Sequence, residues 1–246
     1  MAANTDRFDE DAAAWEADPA CVTSSELVYK ALLQHVPQFQ PGGKKPDILD
    51  VGGGSGTLSF MLAPHVHTLT AIDIAPSMVA AFNANAAQRG AHHMEAVIYE
   101  RDLPDFTVAP EATTRLLQTV DGKAPEGPVR WDILLSNLVT HHYSQLNEWM
   151  QIAYFSLAPG GRIVMTDFEH TGPDSALFHA PGKRDSIPMH GLKPAEISKL
   201  MSDAGFVDVS VKRVFSLEKA VDPQEAGGRT SIEFPILLCQ GSKPMR

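Results

Sequence analysis

The chain has 246 residues, 43% of them hydrophobic and 20% charged, with a formal net charge of −10 at pH 7. That is enough apolar chain for one sizeable core, and the acidic balance argues against a general phosphate-binding surface, because nucleic-acid affinity rests on Lys and Arg neutralising backbone charge. Two cysteines, Cys21 and Cys239, stand too far apart in sequence for a disulfide framework or a short zinc motif. The opening residues, MAANTDRFDEDAAAWEADP, carry acids where a secretory leader would carry a basic region and an apolar segment. No apolar run approaches the roughly 20 residues of a spanning helix. A cytoplasmic protein with no membrane association is the expectation.

From Glu10 to about Val36 apolar positions, including Leu27, Leu32 and Leu33, recur at three- and four-residue spacing and predict a helix, with TSSE as a cap near Thr23 or Ser24. PQFQPGGKKP breaks it. Alternating units follow: strand DILDV (47–51), a glycine turn, a helix from about Gly56 to Ala63, strand TLTAID (68–73) and helix APSMVAAFNANAAQRG. Strand EAVIYE (95–100) continues the rhythm, which stalls from Leu103 to Arg130, where EATTRLLQTV forms a candidate helix. It resumes with strand WDILLSN, a helix around YSQLNEWMQIAYFSL, an APGG turn and strand RIVMTDF (162–168). Loop 169–191, helix KPAEISKLMSDAG and strands FVDVSVKRVFSL and SIEFPILLCQ complete the chain. Short strands separated by helices imply an α/β domain with a mostly parallel sheet.

The turn Asp50-Val51-Gly52-Gly53-Gly54-Ser55-Gly56 places glycines at alternate positions between a strand and a helix. Glycine permits positive φ and the close backbone approach of a bound cofactor. A dinucleotide GxGxxG would need Gly or Ala where Thr57 stands, and a phosphate loop would need a lysine that is absent. Asp73 closes the next strand, where an acid can accept both ribose hydroxyl protons of a nucleoside.

With these residues in view, the sequence resembles the class I S-adenosylmethionine-dependent methyltransferases, over about Phe8 to Phe206. ILDVGGGSGTLS, TAIDIAPSMV, ERDLP, WDILLSNLVTHHY and LAPGGRIVMTDF resemble five motifs of that family, in order. The pattern is most like the ubiquinone/menaquinone-biosynthesis type and related small-molecule methyltransferases. The resemblance implies a Rossmann-like seven-stranded sheet with the last strand antiparallel. It also implies a helical N-terminal lid (1–40) bearing Phe8 and Trp15, ahead of a cofactor domain (41–246). It implies S-adenosyl-L-methionine as cofactor: Asp50, Gly52, Gly54 and Gly56 around its methionine and ribose portions, Asp73 on the ribose hydroxyls and Ile74 on the adenine. Asp102 and Leu103 would meet the adenine edge, and Asn137 and Leu138 the amino group.

The sulfonium methyl is already activated, so the protein must hold a nucleophile in line with it and remove a proton where the acceptor carries one. In an open α/β sheet residues just after a strand face the ligand crevice. His141 and His142 stand there, and the family often has a histidine pair at this place. Adjacent residues point about 100° apart on a helix and oppositely on a strand, so one of the pair is expected to face the pocket, His142 rather than His141. His179 and His190, in a segment that resembles a substrate-covering loop of some family members, are the other catalytic candidates. His142, His179, His190 and Asp167 have metal-ligand chemistry but no short-range signature such as HExxH, and no metal ligand is assigned. Ser136-Asn137-Leu138-Val139 stands where an NPPY-like signature for planar nitrogen would, which lowers nucleobase and glutamine targets. The expected function is methyl transfer to a small-molecule acceptor, with no nucleic-acid partner. A protein or RNA methyltransferase and a non-catalytic cofactor-binding subunit are the alternatives; substrate and oligomeric state are not encoded in any motif.

Overall fold

The computed structural model describes residues 19–99 and 129–245. Phe8, Trp15, Asp102, Leu103 and the helix expected over EATTRLLQTV lie outside the described residues.

Seven strands, β1 (Asp47–Val51), β2 (Thr68–Asp73), β3 (Met94–Ile98), β4 (Trp131–Asn137), β5 (Leu157–Phe168), β6 (Val207–Ala220) and β7 (Ser231–Ser242), form one sheet in the order β3-β2-β1-β4-β5-β7-β6. β1 to β5 pair in parallel, and β7 lies antiparallel between β5 and β6. The order reverses between β1 and β4, which puts a ligand crevice beyond the carboxyl ends of those two strands.

Neighbouring residues of the central strands are buried on opposite faces, which is why these strands read as continuous apolar runs rather than alternating ones. Ile48, Leu135 and Val164 pack against α1 (Pro19–His35), α2 (Thr57–Leu62) and α3 (Pro76–Arg89) through Val28, Leu32, Leu62 and Phe82. Leu49, Leu134 and Ile163 pack on the other side with Trp149 and Met150 of α4 (Leu146–Ser156), and with Ile197 and Met201 of α6 (Pro194–Asp203). A one-turn helix, α5 (Pro181–Arg184), lies in the loop before α6. No helix among the described residues is long and apolar enough to cross a membrane.

Two local expectations give way. TSSE does not cap α1: the helix already runs from Pro19, and Ser24 and Ser25 are buried within it. Val28, Leu32 and Val36 of this segment share a core cluster with Ile48 and Leu62. APGG is not a turn ahead of β5 but a bulge inside it. The pairing with β4 jumps from Trp131↔Leu157 to Ile133↔Arg162, and Gly160 takes φ +77° while its N–H donates to the Lys243 carbonyl at 3.0 Å. The glycines that suggest a turn absorb the extra residues of a bulge.

Candidate active site

After β1 the chain turns at Gly52 (φ +75°), Gly54 (φ +55°) and Gly56 (φ +93°). A Cβ on Gly52 would lie 2.5 Å from a Val139 methyl, one on Gly53 2.7 Å from the Ala71 Cβ, and one on Gly56 2.7 Å from the Phe82 ring. These three glycines are demanded by the turn's own packing. Gly54 differs: its absent Cβ would meet nothing nearer than the Met78 sulfur at 3.9 Å, so bare backbone faces open space where a ligand can approach closely.

The Gly54 N–H donates to Asp73 Oδ2 and the Ala75 N–H to Asp73 Oδ1, each at 3.0 Å, so the carboxylate ties the glycine turn to the start of α3. Each oxygen has a second lone pair, as ribose hydroxyls require. Ile74 follows, partly buried beside the core. Asp50 is placed differently, beneath the turn and 3% exposed, with the Ser59 hydroxyl donating to Oδ2 at 2.5 Å. Burial pushes its carboxyl up to about 6; the Ser59 hydrogen bond opposes the rise and the charge of Asp73 adds to it. The open backbone at Gly54 and the poised Asp73 carboxylate fit a nucleoside cofactor carried in this crevice.

Across the crevice, β4 ends at Asn137, whose Oδ1 accepts from the Thr166 hydroxyl at 2.7 Å. Leu138 adopts φ +55°, a conformation costing about 1–2 kcal/mol in a non-glycine residue, held by its N–H donating to the Thr166 carbonyl at 2.8 Å. Val139, which fills the space under Gly52, leads into a 3-10 turn at Thr140–His142. This short turn defeats the expectation that the paired histidines point apart. Their ring centroids are 4.1 Å apart, and both face His179, at 5.0 Å from His141 and 6.0 Å from His142.

His141 is the anchored member. It is 1% exposed; its backbone N–H donates to Asp167 Oδ2 at 3.0 Å, and its ring Nδ1 lies 2.8 Å from Asp167 Oδ1. That carboxylate, at the end of β5 and fully buried, holds the ring by Nδ1 and leaves Nε2 on the side away from it. His142 is half-buried. Burial, with His141 and His142 close by and Lys219 and His190 further contributing, holds the His179 imidazole down to about 2, so it is neutral at physiological pH. Phe168 and Phe178, stacked at 4.0 Å with rings 6° from parallel, wall the cluster.

The loop after β5 is strapped down at both ends. Glu169 and Leu192 form a bridge, His170 Nδ1 meets the His190 carbonyl at 2.9 Å, and the Leu192 N–H donates to the Phe168 carbonyl at 2.8 Å. Gly191 (φ +90°) allows this approach, since a Cβ there would sit 2.8 Å from the Glu169 backbone; hence the glycine in the HG pair. His190 stays out of the three-histidine cluster and borders a separate cavity of about 220 Å³ with His170, Leu146 and Glu196. Arg184 is paired with Glu225 at 2.8 and 2.9 Å and donates to the His179 carbonyl at 2.9 Å. Sequence reasoning passed over Lys219, which donates to the Phe178 carbonyl at 2.8 Å and sits 4.0 Å over that ring; a lysine on an edge strand carries no signal of such a contact.

A family model described as a methyltransferase domain matches residues 25–211. The ribosomal protein L11 methyltransferase of Thermus thermophilus is 27% identical over 174 residues, 70% of this chain and 53% of that protein, so the chain spans about half the length of this relative. Among solved structures, the YcgJ protein from Bacillus subtilis superposes with a TM-score of 0.62 at 15% identity, covering 90% of this chain and 98% of that one. Haemonchus contortus phosphoethanolamine N-methyltransferase 2, in complex with S-adenosyl-L-methionine, gives 0.62 at 13% identity over 96% and 60%. These two likenesses are of fold. With the sheet order, the glycine turn answered by Asp73 and the family match over most of its length, the chain belongs to the class I S-adenosylmethionine-dependent methyltransferases.

Proposed function

We propose that the protein methylates a small-molecule acceptor held at the β4–β5 edge of the crevice. The observation that supports this is the enclosure of the histidine cluster. His141 is 1% exposed and Asp167 fully buried, both behind the strapped loop 169–191, and a site this closed suits a ligand it can surround better than a protein loop or an RNA strand. The net charge of −10 further disfavours RNA.

S-adenosylmethionine, when bound, supplies a methyl group already activated by its sulfonium. The chain's own task is to hold and orient. Gly52 to Gly56, Asp73 and Ile74 hold the nucleoside end, with Asp102 and Leu103 as further contacts, and Asn137 and Leu138 line the side facing the donor. Asp167 orients His141, and His141, His142 and His179 set three imidazoles against the acceptor's nucleophilic atom, while Phe168 and Phe178 keep water out. His190 borders the outer cavity.

The test is transfer of label from S-adenosylmethionine carrying a radioactive methyl group into a metabolite extract and, in parallel, into macromolecules. Label in the low-mass fraction is expected. Label confined to protein would favour acceptors of the kind named by the Thermus relative, and label confined to RNA would likewise overturn the small-acceptor reading.

A further inference from the structure

We infer that His141, His142 and His179 form a three-imidazole site for a divalent transition-metal ion of the zinc class. One ring nitrogen from each lies within 4.8 Å of the others. A tetrahedral zinc with bonds of about 2.0–2.1 Å needs its nitrogens about 3.3 Å apart, so the His142 and His179 rings must draw closer to the anchored His141 ring to seat an ion. Two of these rings carry a nitrogen that is otherwise unexplained. His141 Nε2 and His179 Nδ1 are each buried with less than 1 Å² accessible and have no hydrogen-bond partner among the described residues. A buried polar atom without a partner costs about 1–3 kcal/mol. An ion between the rings satisfies them.

The surroundings also match a metal centre. A ligating histidine typically gives its other ring N–H to a carboxylate, which fixes the tautomer and raises the basicity of the ligating nitrogen. Asp167 does this for His141 through Nδ1 at 2.8 Å, while also accepting the backbone N–H of the same residue at 3.0 Å. Asp167 is therefore an orienting group rather than a ligand, and His190 is outside the set; the ligands come from the turn after β4 and the loop after β5. Three protein ligands leave a fourth position open, the arrangement of catalytic rather than structural zinc. An oxygen bound there, from water or from an acceptor hydroxyl, has its pKa drawn toward neutrality, to about 7 for zinc-bound water. That use of the open position rests on the methyltransferase reading; the ion site does not.

The test is zinc uptake by the full chain after chelator stripping and dialysis. One zinc per chain is expected in the wild type, with affinity at least about 100-fold weaker in His142→Ala and His179→Ala and about 10–100-fold weaker in Asp167→Asn. His92→Ala, at an exposed histidine distant in sequence, should match wild type. No uptake by wild type, or wild-type affinity in His179→Ala, would overturn the inference. Should the alanine variants not fold, cobalt(II) in the wild-type chain decides: intense visible absorption of a four-coordinate ion supports the site, and the weak spectrum of a six-coordinate ion refutes it. Calorimetry with S-adenosylmethionine on the metal-free chain separates the two readings. Cofactor binding without zinc uptake refutes this one alone, while zinc uptake without cofactor binding supports the site and removes the methyltransferase reading instead.

Discussion

Replacing Asp50 by Asn should stabilise the protein at neutral pH and do so with a defined pH profile. The Asp50 carboxyl lies beneath the glycine turn, raised from an ordinary 3.8 to about 6, chiefly by burial. A folded-state pKa above the unfolded one means that the folded protein binds the proton more tightly, so the group contributes stability below about pH 4 and loses it as pH rises through about 6. At 1.36 kcal/mol per decade, the full swing is about 3 kcal/mol, with roughly half of it reached at pH 5. Asn keeps an oxygen for the Ser59 hydroxyl but carries no charge to bury. The advantage of Asp50→Asn over wild type should therefore grow from near zero around pH 4 to about 3 kcal/mol above pH 7, or about 6–12 °C in Tm for a chain of this size. Urea unfolding followed by the fluorescence of the buried Trp131 and Trp149 measures it across the range. A difference between variant and wild type that stays flat from pH 4.5 to 8 would show that burial does not control this carboxyl.

Gly52→Ala should lose about 2–4 kcal/mol, from a Cβ 2.5 Å from the Val139 methyl and from φ +75°, and the double variant with Val139→Ala should recover the steric part but not the backbone part; chemical denaturation of both variants checks this. Asp73→Ala removes the acceptor of the Gly54 and Ala75 amides and should weaken S-adenosylmethionine binding at least tenfold by calorimetry; unchanged affinity would take Asp73 out of the cofactor site. His142→Ala should lower kcat more than it weakens cofactor binding, since it lies at the acceptor end; equal turnover in the two proteins would remove it from catalysis. Gly191→Ala should destabilise the strap, because its Cβ would meet the Glu169 backbone at 2.8 Å, and faster amide exchange at His170 and Leu192 relative to wild type is the readout.

The sheet was legible because its signals are local. β1, β2 and β4 begin and end where an apolar run meets a polar or glycine-rich boundary, and the glycine turn advertises itself because Gly52, Gly53 and Gly56 each answer a clash within a few ångströms. Asp73 follows from position, as the acid at the end of the second strand. What stayed hidden is of another kind. Pro159, Gly160 and Gly161 resemble a turn that would start β5 at Arg162, although the backbone bulges and keeps pairing. The orientation of His141 and His142 depends on a three-residue 3-10 turn whose geometry neither helical nor strand periodicity describes. The meeting of His141 with Asp167, 26 residues away, and with His179 is a tertiary event. Residue type could nominate each of them, but no pattern along the chain says which three histidines share a centre.

The bridge between Glu169 and Leu192 makes the intervening chain an arch whose feet are fixed by backbone bonds. Lengthening such an arch hardly changes the cost of closing it, since doubling a loop adds only about 0.6 kcal/mol, and the register of β5 below is insulated from what happens above. Acceptor preference can therefore drift by insertion and substitution between residues 172 and 189 while the cofactor crevice on the other side of the sheet's switch point stays intact. Exchanging that arch between relatives is a route to new acceptors that leaves the methyl-donor half untouched.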